Sequence, residues 1–367
     1  MAKDKLKGLI LSGGKGERLR PFTYLGAKQL VPIANKPVLF YTIEDLLASG
    51  ITDIGIVVGD TRHQVEAAVG DGSRFSAPRA SITYIQQDEP LGIAHAVKVA
   101  ADFLAGQPFV LYLGDNFVLG GIAPFVQRFQ SDSSNCLILL DRVDNPQSFG
   151  VAELVDGRVA RVVEKPTQPR SDLAVIGVYM FDHHVFEVVE QLRPSARGEL
   201  EITDTIQCLI DQGLAVHASV LDRYWIDTGK MDDILEANAV VLDALPASNQ
   251  GSIDSASRVT GKVILQRGAL VTNSILRGPL IIGEETRIAD SEIGPHTSIY
   301  HRCQVRGSSI AGSVVMEQTT IEDVGYRIEG SLIGRHVELR GGSAGRPEGE
   351  SRRLALTLGD HSQIKAL

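Results

Sequence analysis

Two hydrophobic patterns divide the chain at about residue 250. Before it, short apolar runs alternate with segments whose apolar residues follow helical spacing. The strand-like runs are 7–11, 53–59, 80–86 and 109–115, and the helix-like segments are 38–50 and 93–106. Strands that alternate with helices predict βαβ units, and hence a mostly parallel sheet covered on both faces. Ligands of such sheets bind beyond the carboxyl ends of the strands. We therefore expect the residues that follow 7–11 and 109–113 to share a site.

Beyond residue 250 the helical spacing disappears, and aliphatic residues recur every five or six positions. The series is Ile282, Ile288, Ile293, Ile299, Val305, Ile310, Val315 and Ile321. This period fits neither one face of a helix nor an ordinary alternating strand. It is typical of a parallel β-helix, in which each coil has three short sides and an inward aliphatic residue on each. The alternative is a looser β-rich domain.

The change of pattern sets the predicted domain boundaries. We expect an α/β domain over 1–243, a linker over 244–251 and a β-helix over 252–367. Residues 341–353, GGSAGRPEGESRR, predict an exposed excursion before the short strand-like run LALTLG.

Composition and charge narrow the classes of function. The hydrophobic content of 43% and the charged content of 22% are those of an ordinary globular protein. The formal net charge of −9 argues against a general binder of nucleic acid or of anionic membranes, because both would be repelled at long range. Three widely spaced cysteines, Cys136, Cys208 and Cys303, fit a reducing compartment better than a disulfide framework. No apolar run suits a signal peptide or a membrane span, so we expect a cytoplasmic protein.

A local basic segment stands out against this acidic background. Residues 1–30 hold seven lysines and arginines but only two acids. Gly13 and Gly14 follow the first strand-like run, and their missing side chains let a ligand reach the backbone N–H groups, which can cradle an anion. Arg18 adds a planar fork suited to phosphate, and Lys28 adds a point charge. The loop is neither a Walker loop nor a dinucleotide fingerprint. On the glycines alone, a simple turn with solvated basic residues is equally open.

Seven stretches in a fixed order carry a family resemblance. They are LSGGKGERLRPFTYLGAKQLVPIANKP, QDEPLGIAHAV, LGDN, FGVAEL, VEKP, RGELEITD and WIDTGK. The first resembles the signature of sugar-1-phosphate nucleotidyltransferases, G-G-x-G-[ST]-R-L-x-P followed by K-x-L-x-P-[IV]-x-x-K-P. Together the seven are similar to the glucose-1-phosphate thymidylyltransferases, most closely to their long form, over essentially the whole chain. The resemblance implies a Rossmann-like nucleotidyltransferase domain followed by a left-handed β-helix of hexapeptide-like repeats.

The resemblance also implies a reaction. A nucleoside triphosphate, expected to be dTTP, and glucose 1-phosphate would give a nucleotide-sugar and pyrophosphate, with Mg²⁺ as the cofactor. An oxygen of the sugar phosphate attacks the nucleotide α-phosphorus in line, so positioning and electrostatics supply most of the acceleration. Because both reactants are anions, the site has to neutralise charge before they can approach each other.

Motif positions assign roles to single residues through the same resemblance. The implied catalytic residues are Arg18, Lys28 and Lys165. The implied nucleotide-binding residues are Leu11, Gly13, Gly14, Gln87, Pro90, Gly92 and Asp115. The implied sugar-phosphate residues are Gly150, Glu164, Lys165, Val175, Arg197 and Trp225. The implied metal ligands are Asp115 and Asp227, since Mg²⁺ favours a few carboxylates together with phosphate oxygens and water.

Two residues depart from the family pattern. Glu17 stands where Thr or Ser is common, and we expect this carboxylate to point away or to pair with a neighbouring cation. Phe149 stands where shorter members often carry Tyr, which removes one hydroxyl near the sugar. We expect His95, His183 and His184 to be structural, because their spacing supports neither a metal site nor a general base.

Three alternatives stay open. UTP could replace dTTP, since thymine differs from uracil by one methyl group, which gives little discrimination unless the pocket uses it. A non-catalytic regulatory or scaffolding homologue is disfavoured because the charged site residues are all present. A β-helix that transfers acetyl groups is disfavoured because His296, His301 and His336 lack a catalytic context. We expect the β-helix to serve structure or a homo-oligomer, because stacked coils present flat faces.

Overall fold

The computed structural model describes residues 5–14, 16–24, 26–75, 79–341 and 352–365. The chain forms two compact units. One consists of Met1–Gly14 and Val38–Asp227, and the other of Lys15–Pro37 and Thr228–Leu367. The second unit thus joins part of the basic N-terminal segment to the C-terminal repeats. The segmentation at residues 243 and 252 stays a prediction.

Strands and helices follow one another along the first two thirds of the chain. They are β1 (Lys7–Ser12), β2 (Pro32–Ile33), β3 (Lys36–Pro37), α1 (Val38–Ala48), β4 (Asp53–Val58), α2 (Arg62–Val69), β5 (Ser81–Gln86), α3 (Ile93–Val99), α4 (Ala101–Leu104), β6 (Phe109–Leu113), β7 (Asn116–Val118), α5 (Ala123–Ser131), β8 (Cys136–Arg142), β9 (Gly150–Val155), β10 (Arg158–Glu164), β11 (Leu173–Phe181), α6 (His184–Gln191), α7 (Ile202–Asp211), β12 (Val216–Val220), β13 (Trp225–Asp227) and α8 (Met231–Ala244). Short 3-10 helices lie at Glu17–Leu19, Lys28–Leu30 and Pro146–Ser148. The segment predicted as one helix over 93–106 is two helices, because the backbone at Ala100 leaves the helical region (φ −86°, ψ 3°).

The first unit is built on a mixed sheet with the order β10-β9-β11-β6-β1-β4-β5, with β8 beside β11 and β12 beside β8. The strands β6, β1, β4 and β5 run parallel, as the sequence predicts. Beyond β6 the sheet is largely antiparallel, because β11 pairs antiparallel with β6, β8 and β9. The hairpin of β9 and β10 turns at Asp156 and Gly157, which both have positive φ, as a tight Asp-Gly hairpin turn requires.

One apolar core of the first unit lies between this sheet and the helices α3, α6 and α7. Helix residues such as Val97, Val188 and Ile206 pack against strand residues such as Leu111 and Ile138, and all are nearly or fully buried. Among the described helices of the chain, none has both the length and the apolarity needed to cross a bilayer.

In the described part of residues 248–365, short strands stack in parallel into three β-helix sheets. Sheet A holds β14 (Ser248–Asn249), β17 (Val263–Leu265), β20 (Leu280–Ile282), β23 (Thr297–Ile299), β26 (Val314–Val315), β29 (Leu332–Ile333) and β32 (Thr357–Leu358). Sheet B holds β15 (Ser252–Ile253), β18 (Leu270–Thr272), β21 (Arg287–Ala289), β24 (Gln304–Arg306), β27 (Thr320–Glu322), β30 (Glu338–Arg340) and β33 (Gln363–Lys365). Sheet C holds β16 (Arg258–Thr260), β19 (Ile275–Arg277), β22 (Glu292–Ile293), β25 (Ser309–Ala311), β28 (Arg327–Glu329) and β31 (Arg353–Leu354).

This arrangement confirms the predicted repeat. All eight aliphatic residues of the predicted series belong to one buried core enclosed by the coils. The coil corners repeat positions with positive φ, for example Asn273 and Asp290 at one corner and Glu285 and Arg302 at another. Each sharp corner thus uses a left-handed backbone, and the stacked parallel sheets are those of a left-handed β-helix. The predicted excursion over 341–353 falls mostly on residues 342–351, which lie outside the described residues.

Candidate active site

The carboxyl ends of β1, β4 and β6 meet at one edge of the first unit's sheet, as predicted. The N–H of Gly114 donates to the carbonyl of Leu11 (2.9 Å) and thereby joins the two predicted loops. A Cβ on Gly114 would lie 2.9 Å from the same carbonyl oxygen, so a side chain would disturb this contact. Gly13 also lies close to Gly59, which follows β4, since a Cβ on Gly59 would be 3.3 Å from the carbonyl oxygen of Gly13. The glycines therefore allow the loops after these strands to approach each other closely. Because glycines carry no side chain, a ligand can also reach the backbone at this edge.

Gln87 directly follows β5 and lies against Gly13. Its side chain is buried, and its Nε2 is 2.9 Å from Nδ1 of His95. A Cβ on Gly13 would lie 3.4 Å from Oε1 of Gln87, so the amide oxygen faces the glycine. His95, which we expected to be purely structural, thus holds the amide of a predicted site residue in one orientation. Gly92 has a φ of 107°, and a Cβ there would clash with the carbonyl of Leu200, so this turn requires glycine. Pro90 is exposed two residues before it.

The two predicted metal ligands lie on paired segments. The strands β7 and β13 form an antiparallel ribbon in which Asp227 is opposite Asn116. Asp115 directly precedes Asn116, and its side chain is buried. Residues that face each other in such a ribbon have Cα atoms about 4.5–5.5 Å apart, so the backbone of Asp227 lies beside Asn116, one position from Asp115 in the register of the ribbon. The two carboxylates at this end of the ribbon, of which that of Asp115 is buried, supply hard oxygen donors of the kind that fits a divalent cation such as Mg²⁺.

Asn116 links this pair to Trp225, and the sequence analysis missed it. Its Nδ2 donates to Oδ1 of Asp115 (3.2 Å), and its Oδ1 accepts from Nε1 of Trp225 (2.8 Å) and from the N–H of Gly177 (3.3 Å). Phe149 packs edge-on against the indole with ring centroids 5.9 Å apart. Trp225 therefore fixes the amide that in turn orients Asp115. The signal was available, because Asn116 is the last residue of the LGDN motif.

Four of the other five predicted sugar-phosphate residues, all except Trp225, lie around Glu164. In the pairing of β9 and β10, Glu164 lies opposite Gly150. The Glu164 carboxylate accepts from Oγ1 of Thr203 (3.2 Å) and lies 3.7 Å from Nζ of Lys165 and 3.6 Å from the guanidinium of Arg197. A Cβ on Gly150 would lie 2.6 Å from Cγ2 of Thr203, so glycine leaves the room that the threonine fills. Val175 borders the same spot, because its Cβ lies 3.7 Å from that position.

Arg197 is held by carboxylates of its own loop and helix. Glu201 receives two hydrogen bonds from the guanidinium, at 3.1 and 3.2 Å, and a third from the hydroxyl of Ser195 (2.8 Å). Glu199 receives another from the guanidinium (3.1 Å). Glu201 is buried although it is charged, which such paired hydrogen bonds make tolerable. The sequence analysis missed Glu201 and Thr203, although both stand in the RGELEITD motif.

The environment of Glu164 changes its proton affinity. Burial raises the pKa of the Glu164 carboxyl above its usual value, and the charge of Glu201 acts in the same direction. The charges of Lys165 and Arg197 and the hydrogen bond from Thr203 lower this pKa and offset part of the effect. Glu164 therefore keeps its proton to a higher pH than an ordinary glutamate.

Arg18 and Lys28 belong to the second unit, unlike the other predicted site residues. Each lies in a short 3-10 helix, and Leu19 beside Arg18 is buried. The carboxylate of Glu17 accepts from the guanidinium of Arg20 (3.0 Å), which confirms the expected pairing with a neighbouring cation. Burial raises the pKa of Asp233 on α8, and the charge of Arg18 is among the groups that lower it. The charge of Arg18 thus acts on α8.

His183 and His184 lie away from these residues, at the start of α6. Their ligand atoms and that of Asp182 lie within 4.8 Å of one another. Nδ1 of His184 bonds Oδ2 of Asp182 (2.8 Å), which also accepts from the amide of Asn135 (2.8 Å). These contacts join the start of α6 to the loop before β8, so both histidines have a structural partner in their surroundings.

Comparisons with known proteins show the family of the chain. Residues 7–244 match the family model described as nucleotidyl transferase. A glucose-1-phosphate thymidylyltransferase of Streptomyces griseus is 48% identical over 98% of this chain and 99% of its own length. The low-salt glycan biosynthesis nucleotidyltransferase Agl11 of Haloferax volcanii is 43% identical over 98% of this chain and 100% of its own length.

A solved structure supports the fold of the N-terminal part. A putative glucose-1-phosphate thymidylyltransferase from Bacillus anthracis, in complex with a sucrose, has a TM-score of 0.61 and 36% identity. It covers 66% of this chain and 98% of its own, so it corresponds to the chain without most of the repeats. The chain belongs to the nucleotidyltransferase family and, within it, to the long glucose-1-phosphate thymidylyltransferases.

Proposed function

We propose that this chain transfers the thymidylyl group of dTTP to glucose 1-phosphate and releases pyrophosphate. The observation that carries the proposal is the β7·β13 ribbon, which sets Asp227 opposite Asn116 and thus brings its backbone within one register position of Asp115 at the end of strand β6. Gly13 and Gln87 follow strands of the same sheet edge, where a nucleotide can lie. The choice of dTTP and glucose rests on the near full-length identity with a relative that carries those substrates in its name.

Two sets of groups bind the nucleotide, one at the triphosphate and one at the base. The backbone N–H groups at Gly13 and Gly14 face the triphosphate, together with the cationic side chains of Arg18 and Lys28. The amide of Gln87 both donates to and accepts from the edge of the pyrimidine, and His95 keeps this amide from rotating. Leu11, Pro90 and Gly92 complete the nucleotide site in this proposal.

Asp115 and Asp227 would hold a divalent cation, and we propose Mg²⁺. When bound, such an ion neutralises charge on phosphate oxygens and helps to orient them. The chain itself orients the carboxylate of Asp115. Asn116 does so by donating to Asp115 while Trp225 and Gly177 hold the amide in place.

Lys165 and Glu164 place the sugar phosphate. The ammonium of Lys165 binds the attacking phosphate, and the Glu164 carboxylate accepts hydrogen bonds from sugar hydroxyls. Gly150 and Val175 shape the pocket around the ring, with Trp225 at its side. Glu201 keeps Arg197 at the border of this pocket. A general base is not needed, because a sugar phosphate is already ionised at neutral pH.

The chemical step is one exchange at phosphorus. An oxygen of glucose 1-phosphate forms a bond to the α-phosphorus as the bond from that phosphorus to the bridging oxygen breaks. Pyrophosphate leaves with the electron pair of that bond, and no oxidation or reduction occurs. Negative charge builds on the departing group, and the guanidinium of Arg18 and the ammonium of Lys28 stabilise it.

A panel of nucleotides tests the proposal. Pyrophosphate release is measured with glucose 1-phosphate and, in turn, dTTP, UTP, ATP and GTP, in the presence and absence of Mg²⁺. We expect the highest kcat/KM with dTTP and turnover that depends on the divalent ion. A preference for UTP would move the enzyme to the uridylyl alternative. A preference for a purine would overturn the role of Gln87.

A homo-oligomer and a cytoplasmic location complete the proposal. The nucleoside triphosphate substrate favours the cytoplasm, and stacked coils with flat faces favour self-association. Sedimentation velocity of the purified chain tests the first point, since a single monomeric species over the micromolar range would contradict it.

A further inference from the structure

The N-terminal segment that carries Arg18 and Lys28 packs on the outside of the β-helix. We call residues 16–37 the signature segment. Its apolar side chains meet others from α8 and from sheet A in one buried cluster, which we call the apolar lock. The members of the apolar lock are Leu19, Phe22, Val31, Ile234, Val314, Met316 and Leu332. Segment, helix and coils are thus joined within one compact unit.

The apolar lock is an addition to the fold of the β-helix. Successive residues of a strand point to opposite faces. Val315 and Ile333 point inward and belong to the coil core, whereas their neighbours Val314 and Leu332 point outward into the lock. On sheet B the residues that flank the inward positions, such as Arg287, are exposed. A β-helix needs only the inward column, so the outward apolar residues of sheet A serve the surfaces that cover it.

A polar contact fixes the other end of the signature segment. Ala34 and Asn35 form the turn between β2 and β3, with φ of 46° and 59°. Such angles are uncommon for alanine and persist where surrounding contacts hold them. The N–H of Ala34 donates to Oδ1 of Asn238 (2.9 Å), and Nδ2 of Asn35 donates to the carbonyl of Ile299 (2.8 Å). Oδ1 of Asn238 also accepts from the hydroxyl of Ser298 (2.6 Å), so a fully buried amide on α8 ties the turn to a coil.

Both cations lie close in sequence to the apolar lock. Arg18 directly precedes Leu19 of the apolar lock, and Lys28 lies three residues before Val31. A side chain one to three residues from a buried anchor has little freedom of backbone position. The backbone position of both cations is therefore set by contacts with α8 and with the coils.

We propose that the β-helix is a positioning part of the nucleotide site. Through the apolar lock and Asn238 it holds the signature segment in the conformation that binds the triphosphate. Because the segment is already ordered, nucleotide binding does not have to supply the free energy of ordering it. The inference rests on the proposed function, in which Arg18 and Lys28 bind the nucleotide. Val314, Leu332, Ser298 and Asn238 are positioning residues, because they act through these cations.

Two neighbouring valines give a matched test. Val314→Ala and Val315→Ala remove the same atoms from adjacent, fully buried positions, but only Val314 faces the signature segment. We expect Val314→Ala to raise the KM for dTTP about three- to tenfold and to leave the KM for glucose 1-phosphate within about twofold. Val315→Ala should lower the melting temperature at least as much, with both KM values unchanged.

Hydrogen exchange provides a readout that does not depend on activity. Exchange in peptides that cover 16–37 should be faster in Val314→Ala than in Val315→Ala, and the exchange of coil peptides should not follow that order. A second pair covers the case in which the valine variants fail to fold. Ser298→Ala removes the bond to Asn238, whereas Ser291→Ala removes only bonds inside the β-helix, to the carbonyl of Ala289 and from the N–H of Ser308. The same division of effects is expected.

The outcomes separate the two proposals. If the wild-type enzyme uses dTTP and the paired variants have equal KM values and equal exchange in 16–37, the positioning role is wrong and the function stands. If the wild-type enzyme fails to turn over any nucleotide with glucose 1-phosphate, the proposed function itself is wrong. A rise in the KM for glucose 1-phosphate alone would also overturn the positioning role, because the segment would then serve the other substrate.

Discussion

The two compact units bury polar side chains of different kinds. In the first unit they include the carboxylates of Asp115 and Glu201 and the Asn116 amide that donates to Asp115, beside hydroxyls such as that of Ser12. In the β-helix, neutral hydroxyls recur from coil to coil, as at Ser274, Ser291 and Ser308. A buried charge has to have a partner, while a buried hydroxyl can be satisfied by backbone alone. Among the described residues, a buried carboxylate therefore marks the candidate site, whereas a buried hydroxyl does not.

The stacked residues Ser274, Ser291 and Ser308, which we call the serine ladder, have their hydroxyls satisfied by backbone groups. The hydroxyl of Ser291 donates to the carbonyl of Ala289 (2.7 Å) and accepts from the N–H of Ser308 (3.2 Å) in the next coil. The N–H of Ser291 in turn donates to the hydroxyl of Ser274 (3.1 Å). Each of these hydroxyls thus donates to a carbonyl of its own coil and accepts an N–H of the next coil. This role is structural.

The largest effect on turnover is expected at Asp227, one of the two proposed metal ligands. Asp227→Asn removes the charge of one carboxylate with almost no change of shape. We expect turnover with dTTP and glucose 1-phosphate to fall by about 10²–10³-fold, the scale of losing one well-placed electrostatic stabiliser. Pyrophosphate release measures the activity and thermal unfolding measures the stability. The melting temperature should change little. Asp323→Asn, at an exposed β-helix corner beside Arg306, is the matched control and should keep full turnover.

Gly150 should give the next largest effect. A Cβ in Gly150→Ala would press on Cγ2 of Thr203, so we expect the KM for glucose 1-phosphate to rise about tenfold. The double variant Gly150→Ala, Thr203→Ser removes that methyl group and keeps the hydroxyl that donates to Glu164. Steady-state kinetics should show that the second change restores most of the binding. A double variant as weak as the single one would show that the methyl contact is not the cause.

A smaller effect is expected in the pH dependence of sugar-phosphate binding. Because burial raises the pKa of Glu164, its carboxylate becomes protonated in a window above the usual value of 4.5 as the pH falls. Acidification through that window removes the acceptor for the sugar hydroxyls, so the KM for glucose 1-phosphate should rise a few-fold. Glu164→Gln has no such proton, and its KM should lack this component. The titration of the substrate is common to both enzymes, and parallel pH profiles would contradict the assignment.

The smallest effect on activity is expected in the serine ladder. Ser291→Ala leaves the N–H of Ser308 without its buried acceptor, which costs about 1–3 kcal/mol of unfolding free energy. Denaturant titration should show this loss, and kcat and both KM values should remain those of the wild type. A loss of turnover at 25 °C in folded protein would break the division between site and scaffold.

The sequence predicts those features of the fold that repeat locally. The parallel strands and the inward column of the β-helix follow from periods of apolar residues, which burial imposes on neighbouring positions. The antiparallel half of the sheet did not follow, because β11 pairs with β6 and β8 across long stretches of chain that no local pattern reports. The Asp156–Gly157 turn was a usable signal for the β9·β10 hairpin.

For the candidate site too, the sequence predicts local features but not long-range contacts. Motifs identify single residues, but Thr203 meets Glu164 across 39 positions, and Trp225 meets Asn116 across 109. The grouping of the signature segment with the repeats depends on contacts such as those of Leu19 with the cluster of Leu332. A pattern read along the chain cannot report a contact over such separations, and the three-dimensional structure is needed for it.

One coil is longer than the others. The pairing step is 17 residues from Leu280 to Thr297 and 25 residues from Leu332 to Thr357, and the strands before and after the longer step keep the same stacking. The register of the solenoid therefore tolerates added length between β30 and β31. That position is a suitable place to graft an affinity tag, a fluorophore or a tether to another enzyme of the same biosynthetic route.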